Sequence, residues 1–305
     1  MFSVSEVLKA LTYDISGLKR RRNAMKLSIA VPASMVSDVP HLREKTLKIG
    51  LVGRAAAIFR VDEIIVFPDM STVDQSRDAN LIAVVLSYME TPQYLRKRLF
   101  KIEPELRYAG ILPPLRTPHH PLSDRIKDLS VGEYREGVVT ALTKNGSLID
   151  IGVERPVLVP DMRLQPNTRV TVKIMRLEET PLAVLANPDE IKTYWGYRVT
   201  VSDVPLGQLV KNRPFDLLVA TSRLGIPFDK VRDELTRRWK KSHTVLVAFG
   251  APTQGLYEIL AHERIRLDEV AHFTVNTIPN QGTETVRTEE ALYATLAIFN
   301  VFACE

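Results

Sequence analysis

The pattern of apolar and polar positions predicts that the chain begins as an α/β protein. Apolar runs at 27–31 and 63–67 are typical of buried strands, and an amphipathic segment from 41 to 59 predicts a helix between them. Two further helical patterns cover 80–89 and 94–100. Strands and helices that alternate in this way indicate the α/β class.

The middle of the chain has a different character. Four prolines between 111 and 121 mark a linker. Short β-like segments follow within 133–186, and Asn145-Gly146 between the first two is a strong hairpin signal because both residues tolerate positive φ. The segments are 134–141, 147–153, 156–159, 169–175 and 182–185. Five short strands in about 55 residues predict a small barrel.

The α/β pattern resumes after this region. In one predicted helix, Val231, Leu235 and Trp239 share a face, and Asp229 is a candidate N-cap. The predicted elements are strands at 197–201, 215–220, 244–248 and 271–276 and helices at 229–239 and 288–302.

The simplest organisation is one α/β domain that carries an inserted β-barrel. We place the two parts of the α/β domain at 1–117 and 189–305 and the insert at 118–188. The closing helix is apolar almost all round, so it requires burial on more than one side.

Composition indicates which kinds of partner, location and metal site the protein can have. The 305 residues carry a net charge of +5, with basic clusters at 19–22, 96–98 and 237–241 that favour a phosphate-bearing partner. No run of about 18 apolar residues and no signal-peptide pattern occurs, so we expect a cytoplasmic protein without membrane association. The single cysteine, Cys304, excludes an intrachain disulfide and a zinc site built on paired cysteines.

Three polar segments, 221–223, 249–256 and 278–285, follow predicted strands in the last third of the chain. Ligands of open α/β sheets bind at the carboxyl ends of strands. Glycines allow close approach of a backbone, and hydroxyl and amide groups can bind a ribose, an adenine edge or a carboxylate. The G-x-G-x-x-G, P-loop and H-E-x-x-H motifs do not occur in the sequence, which argues against a dehydrogenase, a P-loop ATPase and a zinc hydrolase.

The segment 48–61 resembles the first motif of the SPOUT methyltransferases, N-x-G-x-x-x-R-x-A-x-x-F-G-V. Lys48 replaces the asparagine and Arg60 the second glycine. The segments 249–256 and 278–291 resemble the second and third motifs, and the run 281–291 is similar to an archaeal and eukaryotic branch that carries an inserted barrel. The positions that match the first motif are Gly50, Arg54, Ala56, Phe59 and Val61.

The resemblance implies a knotted parallel sheet flanked by helices, S-adenosylmethionine (the methyl donor) bound in the knot, and a homodimer around the site, with no metal. Arg54 is the candidate catalytic cation, and Arg287 and Glu289 are secondary candidates beside the donor. The donor-binding candidates on the three segments are Thr221, Ser222, Phe249, Gly250, Gly255, Ile278, Pro279, Gln281, Gly282, Thr285 and Thr288.

The position of Arg54 on its predicted helix also supports its candidate role. At about 100° per residue, a strip of small residues lies beside Arg54, and glycines within a helix suggest close approach of a partner. The alternative is a tight helix–strand contact with Arg54 reaching solvent. The strip is Gly50, Gly53 and Ala57. The expected apolar stripe is Leu47, Leu51, Ala55 and Ile58.

The barrel segment has its own resemblance. Arg135-Glu136-Gly137-Val138-Val139, followed by Gly146 and Asp150-Ile151-Gly152, resembles the opening strands of OB-fold RNA-binding modules. Aromatic residues are sparse there, so phosphate contact or shape recognition is favoured over base stacking, and a structural spacer is the alternative. The candidate RNA contacts are Tyr134, Arg135, Lys144, Arg155, Arg163, Arg169 and Lys173.

The sequence therefore predicts an S-adenosylmethionine-dependent RNA methyltransferase acting on ribosomal RNA, with base or ribose methylation left open. The alternative from a different class is a non-catalytic dimeric RNA-binding protein that uses the OB-fold insert.

Overall fold

The computed structural model describes residues 25–178, 181–187 and 190–303. The basic cluster at 19–22 and Cys304 lie outside these ranges. Two compact units are formed. The sheet unit comprises 25–90, 104–115 and 196–303, and the five-stranded unit comprises 91–103 and 116–195 as far as they are described.

The sheet unit is built on six parallel strands. They are β1 Lys26–Pro32, β2 Glu63–Phe67, β8 Arg198–Val201, β9 Leu217–Pro227, β10 Thr244–Ala248 and β11 Phe273–Asn276, in the spatial order β11-β9-β10-β1-β2-β8. The central strands β1, β2 and β10 are buried almost throughout, as parallel strands covered on both faces must be. The predicted α/β class with a parallel sheet flanked by helices is confirmed.

Seven helices pack around this sheet in the described residues. They are α1 Leu42–Ile58, α2 Ser76–Glu90, α4 Leu206–Asn212, α5 Phe228–Trp239, α6 Leu256–His262, α7 Leu267–Val270 and α8 Thr288–Ala303, while α3 Gln93–Leu99 belongs to the five-stranded unit. Leu235 and Trp239 of α5 are buried, and the Trp239 ring lies 5.4 Å from those of Phe299 and Phe302 in α8. The predicted N-cap of α5 is wrong, because the capping position is Pro227 and Asp229 lies inside the first turn.

Helix α1 turns a different face to the core than the periodicity predicts. Leu47 and Ile58 are 46% and 48% exposed, whereas the strip of small residues is buried. A Cβ at Gly53 would lie 2.7 Å from the Tyr197 hydroxyl, and one at Gly50 would lie 2.9 Å from the Leu112 side chain. The glycines therefore do permit close approach, but the partner is the sheet unit's own core.

The five-stranded unit contains β3 Tyr134–Thr143, β4 Gly146–Asp150, β5 Val157–Pro160, β6 Arg169–Arg176 and β7 Leu182–Leu185. The order is β3-β4-β5-β7-β6, and β6 pairs with β3, which closes the ring of pairings. At the predicted hairpin only Gly146 has a positive φ, 138°, and a Cβ there would overlap the carbonyl oxygen of Val159. The turn itself is formed by Lys144 and Asn145, so the predicted Asn145-Gly146 turn is shifted by one residue.

A buried carboxylate joins three strands of the sheet unit. Glu63 in β2 is 4% exposed and accepts hydrogen bonds from Arg213 (2.6 Å), Thr200 (2.7 Å), Arg198 (2.9 Å) and, in β1, Ser28 (3.3 Å). Burial alone would raise the pKa of Glu63, but these donors and the two arginine charges outweigh it and lower the pKa from 4.5 to about 2. The ionised carboxylate is thus an integral part of this edge of the sheet.

We expect Glu63→Gln to destabilise the sheet unit by about 2–3 kcal/mol at pH 7, since the two half-exposed arginines then lose their counter-ion. Because the folded pKa is depressed, the stabilisation is present above about pH 4.5 and is lost as the pH falls towards 2. Thermal unfolding from pH 7 to pH 4, followed by Trp fluorescence, should show the gap between wild type and variant narrowing below about pH 5. Glu178→Gln, whose side chain is 76% exposed, is the matched control. A gap that stays constant down to pH 4 would contradict this role of Glu63.

Candidate active site

A cleft lies at the carboxyl ends of three adjacent strands, β9, β10 and β11. Its volume is about 930 Å³ including the open mouth. Its walls come from residues 221–224, from 250–255 with Glu258, and from 275–278 with residues of the following loop and the start of α8. The three polar segments that the sequence places after strands thus meet at one site, as expected for an α/β sheet.

The first wall is produced by a break in strand register. Thr274 of β11 pairs with Ala220 of β9, but the next residue, Val275, pairs with Ile226. Residues 221–225 therefore have no partner in the β9–β11 ladder and bulge over the cleft. The sequence predicted a loop at 221–223, whereas β9 continues beyond it to Pro227.

The second wall is a tight turn after β10. The Ala251 amide donates to the Gln254 carbonyl (2.8 Å), and the Thr288 hydroxyl donates to the Gly250 carbonyl (2.9 Å). A Cβ at Gly250 would lie 3.1 Å from the Gln254 carbonyl oxygen and 3.2 Å from the Gly255 Cα. A side chain at 250 would therefore require the backbone of this turn to shift by a few tenths of an ångström.

The third wall is the loop that leads from β11 into α8. The Gln281 side-chain amide donates to the carbonyls of Thr283 (2.9 Å) and Glu284 (3.2 Å) and holds the loop closed on itself. At the start of α8 the Glu290 carboxylate accepts from the Arg287 amide (2.9 Å), which is half of a capping box. The loop and the helix start are therefore fixed by their own polar groups.

Charge in the cleft is sparse. Among the described residues its lining carries one guanidinium, Arg223, and two carboxylates, Glu258 and Glu284, for a formal charge of −1. The side-chain oxygen of Gln254 is buried in the lining and accepts no hydrogen bond from the part of the chain that is described. An unsatisfied buried acceptor calls for a donor from a ligand or a water.

Most of the predicted donor-binding residues lie on this cleft. Phe249, Pro279 and Gly282 do not line it: Phe249 is buried below the turn, and a Cβ at Gly282 would meet open space. The donor role of all eleven remains a prediction. The eight that line the cleft are Thr221, Ser222, Gly250, Gly255, Ile278, Gln281, Thr285 and Thr288.

The secondary catalytic candidates belong to a charge cluster beside the cleft. Lys48 of α1 is 4% exposed, and its ammonium lies 2.6 Å from Asp38 and 3.4 Å from Glu289. Arg287 is more than half exposed and lies 3.8 Å from Asp38. Burial raises the pKa of Glu289, although Lys48 acts in the opposite direction. Neither Arg287 nor Glu289 lines the cleft, so their catalytic role remains a prediction.

Arg54 also lies outside the cleft lining. Its guanidinium donates from one nitrogen, Nη1, to the main-chain carbonyls of Pro114 (3.1 Å) and Leu115. The side chain therefore ties α1 to the segment 112–115 of the same unit. A guanidinium has five donors, so this contact leaves capacity for a phosphate, and the substrate role stays a prediction.

The predicted RNA contacts divide into two groups. Arg135 is 2% exposed and bonded to Glu133 (2.6 Å), and the Arg169 side chain is 11% exposed and bonded to Glu136 (2.6 Å). Burial and a carboxylate partner make both guanidiniums less accessible to RNA phosphates, and the RNA role of these two residues stays a prediction. Tyr134 and Lys173 share Glu190 as a partner. The exposed basic residues of the group are Lys144, Arg155 and Arg163.

Several residues of the site escape sequence reasoning. Glu258 lies on α6 beyond the loop, Asn276 ends β11, and Thr277 directly follows that strand. A helical pattern starting at 256 would have placed Glu258 in a first turn facing the strand ends. Nothing in the sequence signals the hydrogen bond between Thr277 and Thr295 (2.8 Å), which fixes the end of β11 on α8.

The described ranges contain no cluster of three or more His, Cys, Asp or Glu residues able to hold a metal ion. No helix there has both the length and the apolar character needed to cross a bilayer. The cytoplasmic location remains a prediction.

Comparison with known proteins identifies the family. A family model described as "Putative RNA methyltransferase" matches residues 26–299. The 28S rRNA (uridine-N(3))-methyltransferase of Drosophila melanogaster is 35% identical, over 92% of this chain and 62% of the fly protein. The Homo sapiens protein of the same name is 33% identical, over 89% of this chain and 77% of its own length. An uncharacterized protein of Haloarcula marismortui is 34% identical, over 89% of this chain and 98% of that protein. The chain belongs to the RNA methyltransferase family that this model describes.

Proposed function

We propose that the chain is an S-adenosylmethionine-dependent RNA methyltransferase of the SPOUT class that methylates N3 of a uridine in ribosomal RNA. The proposal includes a knotted sheet unit, an OB-type barrel at 118–188 and a homodimer. The main support is that three strand-end segments meet at one cleft. The chain that forms this cleft belongs to an RNA methyltransferase family. The names of the fly and human relatives support the ribosomal substrate and the uridine N3 position.

The residues of the cleft fit this donor. S-adenosylmethionine carries a carboxylate, an ammonium and a sulfonium, a net charge opposite to the −1 of the lining. The unsatisfied Gln254 oxygen can accept from an N–H of the adenine or of the ammonium. Apolar lining residues, among them Ala251, Ile278 and Val286, suit the adenine ring.

When bound, the donor supplies an electrophilic methyl group on its sulfonium. The chain's own task is to hold uridine N3 in line with that group, and such positioning provides most of the rate in a displacement. The N3 proton passes to solvent, and the negative charge left on the uracil oxygens is stabilised by a nearby cation. Arg54 and Arg287 are the proposed cations.

Transfer to native RNA tests the proposed function. Ribosomal RNA from a strain that lacks the protein should gain 3-methyluridine on incubation with the purified chain and S-adenosylmethionine, as measured by nucleoside mass spectrometry. The non-catalytic alternative predicts RNA binding with neither transfer nor donor binding at millimolar concentration. Methylation of a ribose in place of N3 would refute the proposed position.

Glycine at 250 should be essential for donor binding. We expect Gly250→Val to weaken S-adenosylhomocysteine binding at least about tenfold, because the side chain would press on the Gln254 carbonyl and reshape the turn. Gly110→Val is the matched control, since the space around that residue is open and it lies outside the cleft lining and the donor-binding candidates. Calorimetry on both variants, with circular dichroism to verify folding, is the measurement. Equal affinities in the two variants would exclude the turn from the donor site.

The Arg54 proposal predicts a defect in transfer alone. Arg54→Ala should keep donor affinity while single-turnover transfer to RNA drops about a hundredfold, the scale for losing a preorganised electrostatic group. Arg54→Lys should be less impaired, since it keeps the charge but loses the fork. If the residue only clamps the carbonyls of Pro114 and Leu115, the variant should unfold at a lower temperature with transfer unaffected below that temperature.

Exposed basic residues of the five-stranded unit should contact RNA phosphate. The double variant Lys144→Glu with Arg163→Glu should weaken RNA binding and lower the slope of log K against log salt by about 0.7–0.9 per lost contact. Arg176→Glu, an exposed arginine outside the predicted set, is the control. Filter binding from about 50 to 200 mM salt gives both quantities. Unchanged affinity and slope in the double variant would make the unit a spacer.

A further inference from the structure

The bulge at 221–225 presents one arginine to the cleft in a fixed position. The main-chain carbonyl of Arg223 accepts a hydrogen bond from the Asn276 side chain (3.0 Å). Its guanidinium nitrogen Nη1 donates to the carbonyl of Glu284 (3.1 Å), on the loop after β11. Arg223 therefore joins the first and third walls of the cleft and is restrained at both ends of the residue.

Most of the hydrogen-bonding capacity of this guanidinium is unused. Of its five N–H donors, one is engaged by the Glu284 carbonyl. No ion pair connects Arg223 to a carboxylate within the described parts of the chain, although Glu258 and Glu284 both line the cleft. It is also the single cation of the lining in those parts. The site thus offers a preorganised fork for an anionic ligand group.

The charges of Glu258 and Glu284 indicate which kind of anion Arg223 can bind. The RNA backbone carries only negative charge, so the two carboxylates in the cleft lining oppose the entry of a phosphodiester. A small ligand with two positive groups and one negative group fits this lining better. Its positive groups can lie near Glu258 and Glu284 while its negative group binds Arg223. The amino-acid tail of S-adenosylmethionine has this charge pattern.

We propose that Arg223 binds the carboxylate of the donor's amino-acid tail and so distinguishes S-adenosylmethionine from adenosyl compounds that lack this group. The inference rests on the proposed function, because it assigns a position to the same donor. A planar guanidinium matches a carboxylate with two parallel hydrogen bonds. The contact to Glu284 keeps the fork in place before the ligand arrives, which lowers the entropic cost of binding.

The test compares S-adenosylmethionine with decarboxylated S-adenosylmethionine, which retains the sulfonium and the amine. We expect wild type to bind the intact donor at least about tenfold more tightly, a difference typical of a charged hydrogen-bonded pair. Arg223→Gln should lose this preference by weakening the intact donor while the affinity for the decarboxylated compound stays within about twofold. Arg223→Lys should restore part of the preference.

Arg266→Gln is the control, since the Arg266 side chain is 78% exposed and lies outside both the cleft lining and the basic clusters. Calorimetric affinities for both ligands, RNA affinity and thermal unfolding are measured on each variant. Equal loss for the two ligands would show that Arg223 only maintains the shape of the cleft, and unchanged donor binding with weaker RNA binding would reassign it to a phosphate; either result overturns the inference. Failure of wild type to bind either ligand would instead contradict the proposed function.

Discussion

The register break between β9 and β11 is the constraint on which the candidate site depends. Two parallel strands cannot stay paired while one carries five extra residues, so 221–225 must leave the ladder. Gly225 makes the return possible, because a Cβ there would lie 2.8 Å from the carbonyl atoms of Thr274. The bulge places Thr221 to Leu224 above the strand ends, where the turn after β10 and the loop after β11 complete the cleft.

Charged residues in the sheet unit have two different roles. Glu63 and Lys48 are buried, and each is paired with opposite charges that join neighbouring elements. Such pairs fix geometry at a considerable desolvation cost, so they are not available to ligands. Arg223 is exposed in the cleft and has no comparable partner among the described residues. The distribution separates the charges that maintain the fold from those that can recognise a donor or an RNA.

The sequence predicts the site correctly where a feature of single strands also determines how distant segments meet. The three polar segments were expected to meet because carboxyl ends of parallel strands share one edge of a sheet, and the cleft lies there. It fails where the partner is distant in sequence. The strip of small residues in α1 was taken to permit close approach of a partner, but Tyr197 fills the space beside Gly53. The buried ion pair of Arg169 with Glu136 could not be inferred from a strand pattern. The continuation of β9 was missed because Thr221 and Ser222 interrupt the apolar run.

Hydrogen exchange with and without saturating S-adenosylmethionine tests most directly the central claim that the three strand-end segments form one donor site. The account predicts increased protection of amides in 221–225, 250–256 and 277–286 together, with the strands of the five-stranded unit unchanged. Protection confined to one segment, or located elsewhere while the donor is bound, would contradict it.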